Sequence, residues 1–274
     1  MYTIDNIPEH QASEDIAILY ADIKRTLGAS AVNLLWRHLA TIDGALASTW
    51  KAVRPLYISG VAEQHAAQLR NVRHLPSPQP WSENQFRNVG MSKLDTKTLR
   101  AVVANYDRTN APNLVSLMGL LGTLSDRPPS SSPVPTDRQP RYVESNAHPL
   151  PPLIDPDEMS PRVEQLGLAL NNLGIEHKSH QIFAGVPRHL ANWPELLARI
   201  VDSCAPFESA IERCITEVQH EASARGAILR PIIDAHLDEP IGTQAAGALR
   251  QFSAPELIAN YIVKIAMLGT LIPT

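Results

Sequence analysis

Apolar residues along this chain recur mainly at intervals of three and four, the spacing that places them on one side of a helix. Ile16, Leu19, Tyr20, Ile23 and Leu27 form one such face, and Gly28 follows as a stop. Val163, Leu166, Leu170 and Leu173 form another, ended by Gly174. The same pattern predicts helices over Ala31–Ile42, Leu56–Arg70 (across Gly60), Lys97–Tyr106 and Leu114–Leu124. Further on it predicts Val186–Leu190, Pro194–Cys204, Ala210–Ala224 and Pro255–Leu271. Alternating apolar and polar runs of strand type are nearly absent, so the expected class is all-α.

Ten of the 23 prolines lie between Ser125 and Pro161. Fixed φ and missing N–H donors forbid a helix or central strand there, which makes the stretch a linker. Its flanks are similar in length, and they repeat one another. Arg37-His38-Leu39-Ala40 returns as Arg188-His189-Leu190-Ala191, and at the same offset of 151 residues Leu46-Ala47 matches Leu197-Ala198 and Pro55 matches Pro206. Leu121-Gly122-Thr123-Leu124 returns as Leu268-Gly269-Thr270-Leu271, at an offset of 147. Several matches in the same order predict two homologous helical repeats forming a pseudo-dimer: residues 1–124 and 162–274, joined by the proline-rich linker 125–161.

Composition adds exclusions. Apolar residues are 44 % and charged residues 19 %, ordinary globular usage that excludes wholesale disorder. Twenty-four Lys and Arg against 28 Asp and Glu leave a net charge of −4, which argues against nucleic acid as a partner and for a small molecule. No secretory leader or membrane-length apolar run is recognisable, so no membrane association and a cytoplasmic location are expected. Cys204 and Cys214 are spaced for neither redox nor zinc chemistry and read as core, as do the tryptophans at 36, 50, 81 and 193.

Candidate chemistry gathers in the repeated segment. Ala31, Leu34, Leu35 and His38 share one helical stripe; Ile182, Gly185, Val186 and His189 share its counterpart. If the repeats meet at a seam, each brings one imidazole to a pocket between them, an acid and base pair suited to neutral pH. The alternative is that each His sits at the solvent edge of a packed helix. No metal site is expected: His220-Glu221 lacks a second His at residue 224, and His177 with His180 lacks a carboxylate pattern. Phosphate-binding glycine loops and nucleophile elbows are absent, and no cofactor is expected.

Tyr20-Ala-Asp-Ile-Lys-Arg-Thr-Leu27, Leu39-Ala-Thr41 with Trp50, Ala62-Glu-Gln64 and Leu190-Ala-Asn-Trp-Pro194 resemble the group I 2-haloacid dehalogenases. The resemblance implies an all-helical, duplicated fold related to alkylhydroperoxidase D, a homodimer, and a pocket between the halves. It also implies displacement of halide from C2 of a short carboxylic acid, by water that an Asp deprotonates. The position of that Asp, seven residues before Trp193, is Val186 here. The family's small polar residue just before it is replaced by Gly185 here, and its aromatic positions lining the first-half pocket by Ala31 and Leu34. The family's hydroxyl residue one turn before a Glu corresponds to Ser59 and Glu63, its late Asn to Asn110, and Asn192 matches directly.

The expected function is therefore a cofactor-independent enzyme with a small-molecule pocket. Lacking the water-activating Asp, it would run a lyase, isomerase or cyclisation reaction through Glu63, His38 or His189. A hydrolytic 2-haloacid dehalogenase with its base relocated to His189 is one alternative. A noncatalytic binding or structural protein is the other.

Overall fold

The computed structural model describes residues 4–125, 149–175, 182–253 and 257–272, and among these every regular element is a helix, with no strand. Twelve α-helices appear in chain order among the described residues: α1 Glu14–Leu27, α2 Leu34–Leu39, α3 Ala45–Ile58, α4 Val61–Arg70, α5 Glu83–Asn88 and α6 Lys93–Thr123, then α7 Pro161–Asn172, α8 Gly185–Leu190, α9 Pro194–Cys204, α10 Glu208–Asp234, α11 Thr243–Ser253 and α12 Leu257–Leu271. None is long and apolar enough to cross a membrane. Helix α1 has acids in its first turn, Lys24 and Arg25 in its last, and Gly28 in the left-handed region at φ 61°, so charge and chain conformation both favour its ends. Ser92 and Asp95 close a capping box at the start of α6, each satisfying the other's backbone N–H.

The core is built on α6, α10 and α12, which pack on one another, while α4 and α3 lie against them. Helix α12 is buried on nearly every side, including the side chain of Lys264. Helices α6 and α10 approach where Gly119 faces Gly226: a Cβ on Gly226 would stand 2.7 Å from the Gly119 nitrogen and 2.6 Å from Met118 Cβ. Gly226→Ala is expected to cost about 1–3 kcal/mol in urea unfolding, because backbone cannot yield as a side chain can. Gly247→Ala in α11, where nothing lies within 4 Å, is expected instead to stabilise, by about 0.5–1 kcal/mol.

Several expected boundaries move. The helix expected over 56–70 is two, because Gly60 takes φ 76° after α3. The helices expected at 97–106 and 114–124 are one, since α6 runs through Pro112. Pro112 has no N–H to offer the Arg108 carbonyl one turn back. Arg70 supplies that donor instead, with Nη2 3.3 Å from Arg108 O and Nε 3.0 Å from Asp107 O. Likewise α10 continues through Gly226 and Pro231 to Asp234, and the 31–42 prediction shrinks to α2. Residues 126–148 of the expected linker lie outside the described residues, as do His177 and His180.

Residues 149–160, assigned to the linker from sequence, pack onto the second helical group. Ile154 N donates to Arg188 O (3.3 Å), as Ile7 N donates to Arg37 O (3.1 Å). His189 Nδ1 meets Pro151 O at 2.8 Å, as His38 Nδ1 meets Asp5 O at 2.7 Å. Each strap is followed by a 3₁₀ turn, Glu9–Gln11 or Pro156–Glu158, and then by α1 or α7. We infer from this recurrence that the chain is a duplication whose second unit begins at the strap rather than at residue 162.

Candidate functional site

Leu153 of the second strap, residues 31–33, α2, α6, α8, α11 and α12 enclose a seam cavity of about 790 Å³, counted out into its open mouth. Much of its wall is apolar: Ala31, Leu34, Leu35, Val186, Phe252 and Leu257. Polar groups arrive mainly from α6, where Tyr106, Asn110 and Asn113 follow the i, i+4, i+7 spacing of one face. Asn105 also lines the cavity and accepts the Ser30 N–H at 2.8 Å; Asn113 accepts the Tyr57 hydroxyl at 2.8 Å. Arg37 and Arg188, the repeated arginines, both reach the cavity. No Asp or Glu is among its described lining residues.

His189 is 3 % exposed and lines this cavity. Burial, with positive charge from Arg188 and Arg37, depresses its imidazole from the usual value to about 4, so the ring is neutral at pH 7. Because Pro151 O can only accept, the neutral ring carries its proton on Nδ1 and keeps a lone pair on Nε2. The Tyr106 ring meets His189 edge-on at 5.8 Å, and burial keeps the phenol protonated far into alkaline pH.

The two arginines differ in their partners. Arg188 donates from Nε to Ile154 O at 3.0 Å and forms an ion pair with Asp155. Arg37 is 9 % exposed and donates to the neutral amide of Asn6, while its Nε is buried with no hydrogen-bond partner among the described residues. Burial, and then the charge of Arg188, lower the Arg37 pKa.

One polar knot holds the cavity wall formed by Ala184–Val186. Asn171 Nδ2 donates to Ile182 O and its Oδ1 accepts the Ala184 N–H, both at 3.2 Å. Tyr261 donates to the same Oδ1 at 3.0 Å, and Asn260 and Lys264 donate to the Asn171 carbonyl at the end of α7. Burial pushes Lys264 well below its usual pKa. Gly185 lets the Tyr106 hydroxyl come close: a Cβ there would lie 2.2 Å from the Tyr106 oxygen and displace it.

Of the residues singled out from sequence, the cavity brings together Ala31, Leu34, Asn110, Gly185, Val186 and His189. It does not bring in the other four. His38 stands behind Phe252, its ring 5.8 Å from that side chain. Asn192 ties the strap to α8 by donating to Pro152 O and His189 O, each at 2.9 Å. Ser59 and Glu63 line a different surface cleft. Glu63 is 58 % exposed and pairs with Arg70 at 2.5 Å, so it steadies the guanidinium that serves the carbonyl freed by Pro112. Arg37, Arg188, Asn105, Tyr106, Asn113, Phe252 and Tyr261 were missed. Amides at helical spacing in α6, and the arginine beside each repeated histidine, were the available signals.

No model of a protein family matches the chain. It is similar to a configuration-inverting 2-haloacid dehalogenase of Alcaligenes xylosoxydans xylosoxydans, with 26 % identity over 222 residues, or 80 % of this chain and 72 % of that protein. An (R)-2-haloacid dehalogenase of Pseudomonas putida is 29 % identical over 112 residues, 38 % of this chain and 37 % of that one. Each of these relatives is a 2-haloacid dehalogenase. Solved structures extend the likeness to the whole fold: a D-2-haloacid dehalogenase mutant in complex with D-2-CPA superposes with a TM-score of 0.77 at 17 % identity, covering 98 % of this chain and 96 % of that one. A D-2-haloacid dehalogenase in complex with L-LA gives 0.76 at 18 % identity and the same coverage. The all-helical architecture is thus that of the D-2-haloacid dehalogenases.

Proposed function

We propose that the chain is a cofactor-independent enzyme that takes a small 2-substituted carboxylic acid into the seam cavity. Its reaction on this reading is hydrolytic displacement of halide from C2, with His189 Nε2 accepting the proton of the attacking water. The observation that carries the reading is the convergence of His189, Arg37, Arg188 and Tyr106 on one apolar-walled cavity. With a pKa of about 4, His189 has the proton affinity of an ordinary aspartate, so it can take the role of a carboxylate base without bringing negative charge. As the hydroxyl oxygen bonds to C2 and the carbon–halogen bond breaks, halide leaves with the bonding pair. The proton rests on Nε2, and the imidazolium discharges it to solvent. The similarity to two named 2-haloacid dehalogenases supports the substrate class.

A second reading is favoured by one observation: no Asp or Glu is among the described lining residues, and Val186 occupies the wall. On that reading the same acid and base groups serve a lyase, isomerase or cyclisation reaction. Chloride release separates the two. Purified protein is expected to liberate chloride from at least one enantiomer of 2-chloropropionate, measured by ion chromatography against a heat-inactivated control. No release from either enantiomer discards the hydrolytic reading.

A further inference from the structure

We propose that Arg37 and the Tyr106 hydroxyl form the subsite that binds the carboxylate of the substrate, and that Arg188, its repeat counterpart, does not. This deepens the function proposed above and depends on it only for the identity of the acid. Arg37 is a guanidinium 9 % exposed, lining the cavity, with a buried Nε that has no partner among the described residues and an Asn6 amide where an ion pair would place a carboxylate. The acidic group whose charge it feels, Glu9, is itself engaged by Lys24 and by the Val32 N–H. A buried cation without a counter-ion is costly unless an anion completes it. Arg188 is completed already, by Asp155 and the Ile154 carbonyl. Among the described residues the cavity thus offers one uncompensated positive charge.

A monoanion matches that charge. A phosphate dianion would call on a second uncompensated cation, which Arg188 is not. Tyr106 adds a phenol hydrogen that burial keeps in place, on a ring beside His189 and against Gly185. A carboxylate accepts from a guanidinium and a hydroxyl together, in a charge-assisted arrangement. Held there, it leaves C2 within the same cavity as His189. The two repeats would thereby have divided the work, with the first binding the acid and the second supplying the base.

The test uses unreactive propionate, so it reads binding without turnover. Titration calorimetry and thermal shift are run on the wild-type protein, Arg37→Gln, Arg188→Gln and Tyr106→Phe. The expected result is saturable propionate binding, weakened at least about tenfold by Arg37→Gln and about threefold to tenfold by Tyr106→Phe. Arg37→Gln removes an uncompensated buried charge, so its ligand-free melting temperature is expected to stay level or rise. Arg188→Gln leaves Asp155 unpaired and is expected to lower it while propionate still binds. Wild-type affinity in Arg37→Gln, or no saturable binding by the wild type, overturns the proposal. So does chloride displacing propionate with equal affinity, which would make the subsite a halide site. Should Arg37→Gln fail to fold, Tyr106→Phe with unchanged affinity overturns it alone. Loss of propionate binding in Arg37→Gln, with no halide released by the wild type, would uphold the subsite and discard only the hydrolytic reaction.

Discussion

His189→Asn is expected to lower turnover by on the order of 10² to 10⁴, the range for removing a general base, or about 3–5.5 kcal/mol of transition-state stabilisation. Asn keeps a donor for Pro151 O in place of Nδ1–H, so the strap contact survives and only the Nε2 lone pair is lost. The check is kcat for halide release beside a circular-dichroism melt; a folded variant retaining wild-type kcat removes His189 from the chemistry. The pH profile carries the same information. A base with a pKa of about 4 is unprotonated from pH 5 upward, so wild-type turnover is expected to be level between pH 5 and 8 and to fall as pH drops through about 4.

Stability should follow a related course. The folded-state pKa of His189 lies below its unfolded value near 6.5, so the unfolded chain binds the extra proton first. Stability contributed by the neutral ring is complete above pH 6.5 and is lost as pH falls toward 4, by about 3 kcal/mol. The slope should be shallower in His189→Asn. Urea unfolding at pH 7, 5.5 and 4.5 measures it, and equal slopes in the two proteins would place the imidazole near its ordinary pKa.

On the second reading, where no group of the wild type activates water, Val186→Asp is expected to raise the rate of chloride release from 2-chloropropionate by on the order of 10² or more, the contribution of an added general base. Val186 is 1 % exposed and lines the cavity, where Arg37 and Arg188 would favour the ionised form of a new carboxylate. Burying a carboxylate still costs several kcal/mol before such pairing, so the melting temperature should fall even as the rate rises. Val186→Asn, of similar shape and without basicity, serves as the control and should show no gain. A folded Val186→Asp enzyme no faster than wild type would mean that a carboxylate at this position does not reach the attacking water.

The position of Val186 illustrates what could be read before any coordinates. The resemblance to the dehalogenase segment around Trp193, with the recurring Arg-His-Leu-Ala, implied a site role for α8, and the structure sets Val186 and His189 on the cavity wall. Ser59 and Glu63 show the opposite. Their four-residue spacing predicts one helical face, yet Gly60 breaks the helix between them, so that Ser59 ends α3 and Glu63 lies on α4; both line another cleft, where Glu63 meets Arg70. Spacing along a helix specifies which residues share a face, but the partner of that face depends on how distant helices cross.

Local pattern alone determined the all-helical class, because the three-and-four spacing of apolar residues and the glycine stops act within a turn or two of chain. It also holds the recurrence of short segments such as Arg-His-Leu-Ala, which is a property of residue order. Tertiary structure decided the rest: that Arg37 lacks the acidic partner Arg188 finds in Asp155, that His189 is buried while His38 stays behind Phe252, and that α6 passes unbroken through Pro112. Each of these depends on groups tens of residues apart along the chain. Charge compensation, desolvation and the rescue of an orphaned carbonyl are effects of proximity in space, which no window of sequence contains.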